Sequence, residues 1–478
     1  MMNQHLKWKT LFWGAAKYSN LVISLVTTAV LSRLLTPSEY GIVSVTVAFT
    51  ALFTVLTDLG YGTAVVQNRE LTDEDINGIF SFSVYFSFLM AVLFALLGGP
   101  LSAFYGNPVY YKVCAVLSLQ VLFTSLNTVP HAQIMRQKRF WNSGLRMLAA
   151  GVLSCLIPIL MAKSGLSYYA IIFQTLIPPL VAFVWNVSTA GLRFRFRFRV
   201  ESLRKVFSFT SYQFLYNLLR YFANNTDSLL IGKLMGSNLL AHYEKAHKLM
   251  TYPVQNITSY GLNPLLVPLL SEHQKDRQYI YRAYKKVLSP LSCMGVQVTA
   301  VLFWGSREAV LLFFGGQWTH AVPVFRLLSL AIWPQLLVTS ASAIYQSVGD
   351  TRRMFGRAAV YFSTTIVLIV LGAATQNLQM VAVCVTLGQY LRFVIDYHGL
   401  IGKTLNASYV DFLKSFWFEG LYAAVMACLI ALVPIEISSM LLSLFVKGCI
   451  ALAVFLILGL PTGRVKQLLG LLTSRRKK

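Results

Sequence analysis

The chain has 478 residues, 56% of them apolar and only 12% charged, with a mean hydropathy of +0.61. Such a balance excludes a water-soluble globular domain and puts most of the chain in lipid. The formal net charge of +24, from 41 Lys plus Arg against 17 Asp plus Glu, does not describe a nucleic-acid surface, because the basic residues are scattered over loops between apolar stretches.

A helix needs roughly 20 mostly apolar residues to cross a bilayer. In chain order the candidates are residues 11–35, 41–66, 79–105, 110–131, 143–162, 166–190 and 207–232, then 239–270, 287–304, 321–347, 356–374, 379–401, 417–433 and 438–460. The thirteenth is short, so twelve spans plus a hairpin dipping into the membrane is the alternative to fourteen. No cleavable signal peptide is expected, since the first apolar stretch is too long and lacks a small-residue cleavage site. The six cysteines, Cys114, Cys155, Cys293, Cys384, Cys428 and Cys449, fall inside the predicted spans without metal or redox spacing and are expected to pack as small apolar residues.

The order of spans contains a repeat. Leu-Ser-Arg-Leu-Leu-Thr-Pro-Ser-Glu-Tyr-Gly at 31–41 is echoed by Ile-Gly-Lys-Leu-Met-Gly-Ser-Asn-Leu-Leu-Ala at 231–241. Further on, Phe104-Tyr105-Gly106 is echoed by Phe313-Phe314-Gly315, Leu117-Ser118-Leu119 by Leu328-Ser329-Leu330, and Arg139 by Arg352. Duplicated halves are a common plan of secondary transporters. The expected fold class is an all-α integral membrane protein of about fourteen transmembrane helices, with two pseudo-symmetric six-helix bundles and two additional C-terminal helices. Its divisions are 1–190 for the first bundle, 191–206 for a basic linker, 207–401 for the second bundle, and 402–478 for the last two helices and a basic tail.

Lys and Arg accumulate on the cytoplasmic side of membrane proteins. With the N-terminus inside, only Arg33, Lys112, Lys163, Lys233 and Arg307 fall in external segments, while the clusters at 136–139, 193–205, 275–286 and 352–357 all share the cytoplasmic side. Both termini are then cytoplasmic. The Arg193-Phe194-Arg195-Phe196-Arg197-Phe198-Arg199 run suits the headgroup boundary, with rings in the interface and guanidinium groups on lipid phosphates. It either enforces orientation as a positive linker or guides an anionic lipid substrate.

Charged residues inside the membrane are costly and usually face a wet cavity or a partner. On the seventh span Gln213, Tyr216, Arg220, Asn224 and Asp227 recur at three- and four-residue steps, so they share one helix face. The eighth span carries Glu244, Lys248, Thr251, Gln255 and Thr258 on one stripe, with Lys245 beside it. The tenth adds Arg326, Gln335, Thr339, Ser342 and Gln346, and the twelfth Gln389, Arg392 and Asp396. A milder first-half stripe has Lys17, Asn20, Ser24 and Thr27, then Thr54 and Asp58. Arg220, Lys245, Lys248, Arg326 and Arg392 outnumber Asp58, Asp227 and Glu244, so an anionic cargo fits better than a cationic drug. The competing use is internal pairing, Arg220 with Asp227 and Glu244 with Lys248. Asp58, Asp227 and Glu244 are the candidates for a coupling ion, with a proton and a sodium ion both compatible. Lys447, among apolar neighbours, is expected to snorkel to the outer interface.

Other chemistries lack their signatures. No Gly-x-x-x-x-Gly-Lys-Ser/Thr loop, His-Glu-x-x-His pair or Gly-x-Ser-x-Gly elbow occurs. Asp73-Glu74-Asp75 has the spacing of a metal-dependent sugar transferase but sits in a short loop, where an acidic solvated loop or a helix cap is the better reading. No catalytic residue, cofactor or metal is expected.

These residues resemble the polysaccharide exporters and O-antigen (Wzx-like) flippases of the multidrug/oligosaccharidyl-lipid/polysaccharide (MOP) superfamily, in particular the colanic and teichuronic acid exporter branch. The resemblance spans nearly the whole chain. It rests on 31–41, on Asp58-Leu59-Gly60-Tyr61-Gly62 with Ala64-Val65-Val66-Gln67, on Arg136-Gln137-Lys138-Arg139-Phe140, on Asp227 to Lys233, and on Tyr243 to Leu249. The family's second repeat usually has Gly before its Tyr where this chain has Ala241-His242, a change of local helix packing. Membership implies two six-helix bundles about a central cavity and a flippase that moves an undecaprenyl-diphosphate-linked oligosaccharide across the bacterial cytoplasmic membrane. A polysaccharide polymerase and glycosyltransferases are the implied partners, and a monomer suffices. Arg220, Lys248, Arg326 and Arg392 would hold the pyrophosphate and acidic sugars, and Gln213, Asn224, Gln255, Gln335 and Gln389 the sugar hydroxyls. A cation-coupled multidrug exporter is the alternative within the superfamily, and a membrane glycosyltransferase or polymerase the alternative outside transport.

Overall fold

A computed structural model describes residues 4–58, 61–67, 71–137, 139–194, 200–263, 276–433 and 437–465, with single positions 266, 270, 271, 273 and 274. Regular structure among them is helical throughout. The chain divides into two compact units, residues 1–241 and 242–478.

The first unit holds α1 (Gln4–Leu34), α2 (Pro37–Asp58), α3 (Tyr61–Gln67), α4 (Asp73–Leu96), α5 (Gly98–Tyr105), α6 (Val109–Leu126), α7 (Thr128–Arg136), α8 (Phe140–Lys163), α9 (Tyr169–Ala190) and α10 (Val200–Leu234). Helix α11 (Ser237–Val254) starts there and passes into the second unit, where it continues as a π-helical turn, Gln255–Leu262. The second unit goes on with α12 (Arg277–Trp304), α13 (Ser306–Phe314), α14 (Ala321–Ser329), α15 (Ile332–Val348), α16 (Thr351–Ala374), α17 (Leu378–Gly399), α18 (Tyr409–Lys414), α19 (Trp417–Leu432) and α20 (Met440–Gly459).

Ten helices among the described residues are long and apolar enough to cross a membrane, eleven if α14 and α15, bent by 53°, form one span. Fourteen spans were expected. The difference lies in α10 and α11, whose charged and amide residues make them too polar to qualify by composition, and in α19, which is short at 16 residues. Helix α10 packs on α2, α3 and α4, so the first unit takes in the helix with which the expected second bundle, 207–401, begins. Of the Arg-Phe run, residues 195–199 lie outside the described ones.

Local chemistry explains the repeated motif. Thr36 and Glu39 cap α2 reciprocally: the Glu39 carboxylate accepts from the Thr36 backbone N–H at 2.6 Å, and the Glu39 N–H donates to the Thr36 hydroxyl at 3.4 Å. Pro37 fills the first helical position, where its missing N–H costs nothing. Gly41 is demanded by the second copy, because a Cβ there would fall on the Ser237 backbone carbonyl, and Asn238 Nδ2 donates to Ser38 Oγ at 3.0 Å. The two copies thus pack against each other. Two of the other echoes share a local feature. Gly106 (φ +67°) and Gly315 (φ +97°) each end a short helix with a positive φ that other residues resist, and Ser118 and Ser329 each donate to a carbonyl three residues back at 2.7 Å. The Arg352 side chain lies outside the described ones.

Asp75 is a helix cap, as expected: it accepts from the Thr72 N–H and donates its own N–H to the Thr72 hydroxyl, both at 3.2 Å. Lys447 corrects another expectation. It does not snorkel; it is 6% exposed and pairs with Glu308 at 2.5 Å, while Ser443 donates to the same carboxylate oxygen at 2.7 Å. The partner comes from α13, 139 residues away in sequence, where local reading could not find it. Helices α19 and α20 pack on α12 through Phe418, Tyr422 and Phe455 against Cys293 and Val296. Cys114 and Cys293 are buried as expected, whereas Cys428 and Cys449 are exposed on α19 and α20.

Candidate functional site

In the first unit, the C-terminal end of α2 meets α6, α7 and α10 around a cavity of about 560 Å³. Its polar lining is Asp58, Thr54, Thr124, Asn127, Thr128 and His131, with Asn217 from α10. Two contacts brace the wall from behind: Asn186 Nδ2 donates to Asn127 Oδ1 at 2.7 Å, and the buried Arg146 guanidinium stands 3.3 Å from His131 Nδ1. Asp58 Oδ1 is buried without a hydrogen-bond partner among the described residues. A carboxylate at a helix C-terminus also opposes the helix dipole. An acidic oxygen, three hydroxyls, two amides and an imidazole around one void suit a small cation or the hydroxyls of a sugar.

Of the other candidates on α10, Arg220 and Asn224 are exposed and Asp227 is 6% exposed, its carboxylate accepting from the Ser228 N–H at 2.9 Å. The Gln213 side chain lies outside the described ones. Asn217, which does reach the cavity, belongs to the same helix and was not among the expected residues; its three-residue offset from Arg220 is the signal that could have found it.

In the second unit, Lys248 and Gln255 are exposed and Glu244 is half-buried. Arg326 is exposed with its guanidinium 4.8 Å over the Phe303 ring. Lys245, expected among the open cations, is buried instead, 5.0 Å from the Phe314 ring centre and 4.9 Å from that of Trp318. Gln389 and Arg392 are brought together on Tyr361. Gln389 Nε2 donates to its hydroxyl at 3.4 Å, the Arg392 guanidinium lies 4.5 Å over its ring, and Arg392 pairs with Asp396 at 3.4 Å. Gln335 and Gln389 each keep a buried carbonyl oxygen without a hydrogen-bond partner among the described residues.

This helical order is the fold of the MOP-superfamily transporters. The structure matches that of the lipid II flippase MurJ with a TM-score of 0.74 at 10% identity, covering 95% of this chain and 99% of that one. A multidrug resistance MATE family transporter of the same superfamily matches with a TM-score of 0.60 at 13% identity, covering 85% of this chain and 95% of that one. At such identities the likeness is one of fold.

The chain belongs to the polysaccharide biosynthesis protein family, which matches residues 30–323. Among its relatives is the teichuronic acid biosynthesis protein TuaB of Bacillus subtilis, 21% identical over 411 residues that cover 84% of this chain and 82% of that protein.

Proposed function

We propose that the chain is a flippase, moving an undecaprenyl-diphosphate-linked oligosaccharide from the inner to the outer leaflet of the bacterial cytoplasmic membrane by alternating access. The observation that carries this is membership of a polysaccharide biosynthesis family in a chain whose fold matches a lipid II flippase. The polar helices agree with such a cargo. Arg220, Lys248 and Arg326 offer exposed cationic groups to phosphate oxygens, and Arg392 presents a guanidinium ordered by Tyr361 and Asp396. Asn224, Gln255, Gln335 and Gln389, with Gln213, take the sugar hydroxyls, and Asp58, Asp227 and Glu244 serve a coupling cation. The termini are cytoplasmic, the repeats run over 1–190 and 207–401, and a polymerase and glycosyltransferases act on the same lipid-linked glycan.

Proteoliposomes loaded with a lipid-linked oligosaccharide test this, with arrival in the outer leaflet read by an added glycosidase. Arg220→Ala combined with Arg392→Ala should lower the rate at least about a hundredfold, the loss of two charge-assisted contacts of about 1.5–3 kcal/mol each. Translocation by neither the wild type nor any variant would end the proposal. The MATE-like fold favours a drug exporter as the second reading, which instead requires resistance to organic cations on overexpression.

A further inference from the structure

A second cavity, of about 1160 Å³, lies in the unit of residues 242–478 and takes no part in the site above. It is slightly larger than the roughly 300–1,000 Å³ typical of ligand pockets. Its walls come from the start of α12, the junction of α18 and α19, and the segment after α20.

Three membrane entry points converge there. The basic opening of α12 ends at Lys286, and the apolar run of that span follows; α19 starts its apolar stretch at Trp417; α20 ends at Gly459, with Thr462 and Arg464 just beyond. Trp417, 56% exposed, and Tyr279, 41% exposed, are aromatic residues of the kind that settle at the membrane–water boundary.

The lining carries Arg282, Lys285 and Lys286, all exposed, and no carboxylate among its described residues. The rear wall is built rather than loose. Arg464 has a side chain 10% exposed, donates to Ser289 Oγ and, at 2.5 Å, to the Ser415 carbonyl, and lies 3.9 Å from Glu419. Since Glu419 offsets Arg464, the three exposed cations remain as surplus positive charge facing the void. Beside them Val287, Leu288 and Phe416 give the cavity an apolar side.

We propose that this cavity binds the headgroup phosphate of an anionic membrane phospholipid, with Lys285, Lys286 and Arg282 on the phosphate and the acyl chains leaving past Phe416 and Trp417. Basic charge, interfacial aromatic rings and an apolar exit together suit a lipid phosphate, whereas a free phosphate would have no use for the apolar side. The bound lipid ties α19 and α20 to α12. This holds whatever cargo the chain carries.

Thermal unfolding and native mass spectrometry of the full chain in detergent test it, with phosphatidylglycerol, phosphatidylcholine, inorganic phosphate or a polyprenyl diphosphate added. Phosphatidylglycerol should be retained and should raise the melting temperature. K285A/K286A should weaken that binding by about 5-fold per lysine, while the exposed pair K403A/K414A leaves it within about twofold. An equal effect of phosphatidylcholine or inorganic phosphate, undiminished binding by K285A/K286A, or an equal loss in K403A/K414A would overturn the proposal. Displacement of phosphatidylglycerol by polyprenyl diphosphate at equal concentration would also overturn it, by making the cavity part of the cargo path. Glycan translocation by K285A/K286A, measured separately, keeps this outcome apart from that of the flippase proposal.

Discussion

The two units use polar residues in the membrane differently. In residues 1–241 the group around Asp58 lines an open cavity and includes a carboxylate oxygen without a partner among the described residues. In residues 242–478 polar groups mostly tie helices together. Tyr284 bonds Tyr397 at 2.6 Å and Ser340 at 2.8 Å, joining α12, α17 and α15; Glu308 holds Lys447; and Arg357 donates to the carbonyls of Ile395 and Asp396. Gln297, Gln335, Thr365 and Gln389 are among the exceptions, each with a buried polar oxygen that has no hydrogen-bond partner among the described residues. A polar residue in a membrane helix therefore has two uses, fastening or solvation, and its type alone does not say which.

Substitutions can break this contrast. The largest expected effect is Glu308→Leu, which strands the Lys447 ammonium in an apolar setting and should cost about 3–5 kcal/mol of unfolding free energy in detergent. Adding Lys447→Leu should recover most of it; if the double variant is as unstable as the single one, the pair is not a fastener. Gly41→Val comes next, because its side chain would drive into the Ser237 backbone, and a loss of about 1–3 kcal/mol is expected from overpacking. Tyr397→Phe removes one donor from a three-membered hydroxyl cluster and should cost about 0.5–1.5 kcal/mol. The smallest change in stability belongs to Asp58→Asn, expected within about 0.5 kcal/mol, yet this variant should lose coupled transport in the proteoliposome assay. A large stability loss there would make Asp58 a fastener like Glu308 and erase the difference between the units.

Much of the architecture was legible in residue pattern. The repeat at 31–41 and 231–241 marks two hairpins that pack on each other, and Phe104-Tyr105-Gly106 and Phe313-Phe314-Gly315 each mark a helix end at a glycine of positive φ. Helical spacing correctly put Gln389, Arg392 and Asp396 along one helix, but it could not supply Tyr361, which gathers Gln389 and Arg392 from the neighbouring α16. His131, Arg146 and Asn186 escaped for the same reason: each is ordinary in its own helix and gains meaning only from a side chain on another. The fourteen-span reading includes α10 and α11 in spite of their polar faces, which dilute the average hydropathy by which ten or eleven helices qualify.

Composition and periodicity by themselves determined that this chain folds as apolar helices in lipid, duplicated and biased in charge, because each helix must satisfy its own backbone and bury or expose whole faces at fixed spacing. Only tertiary structure decided which polar groups are consumed in fastening and which stay open. Partners such as Lys447 and Glu308 lie 139 residues apart, and pairings across such distances are set by packing that no local pattern encodes.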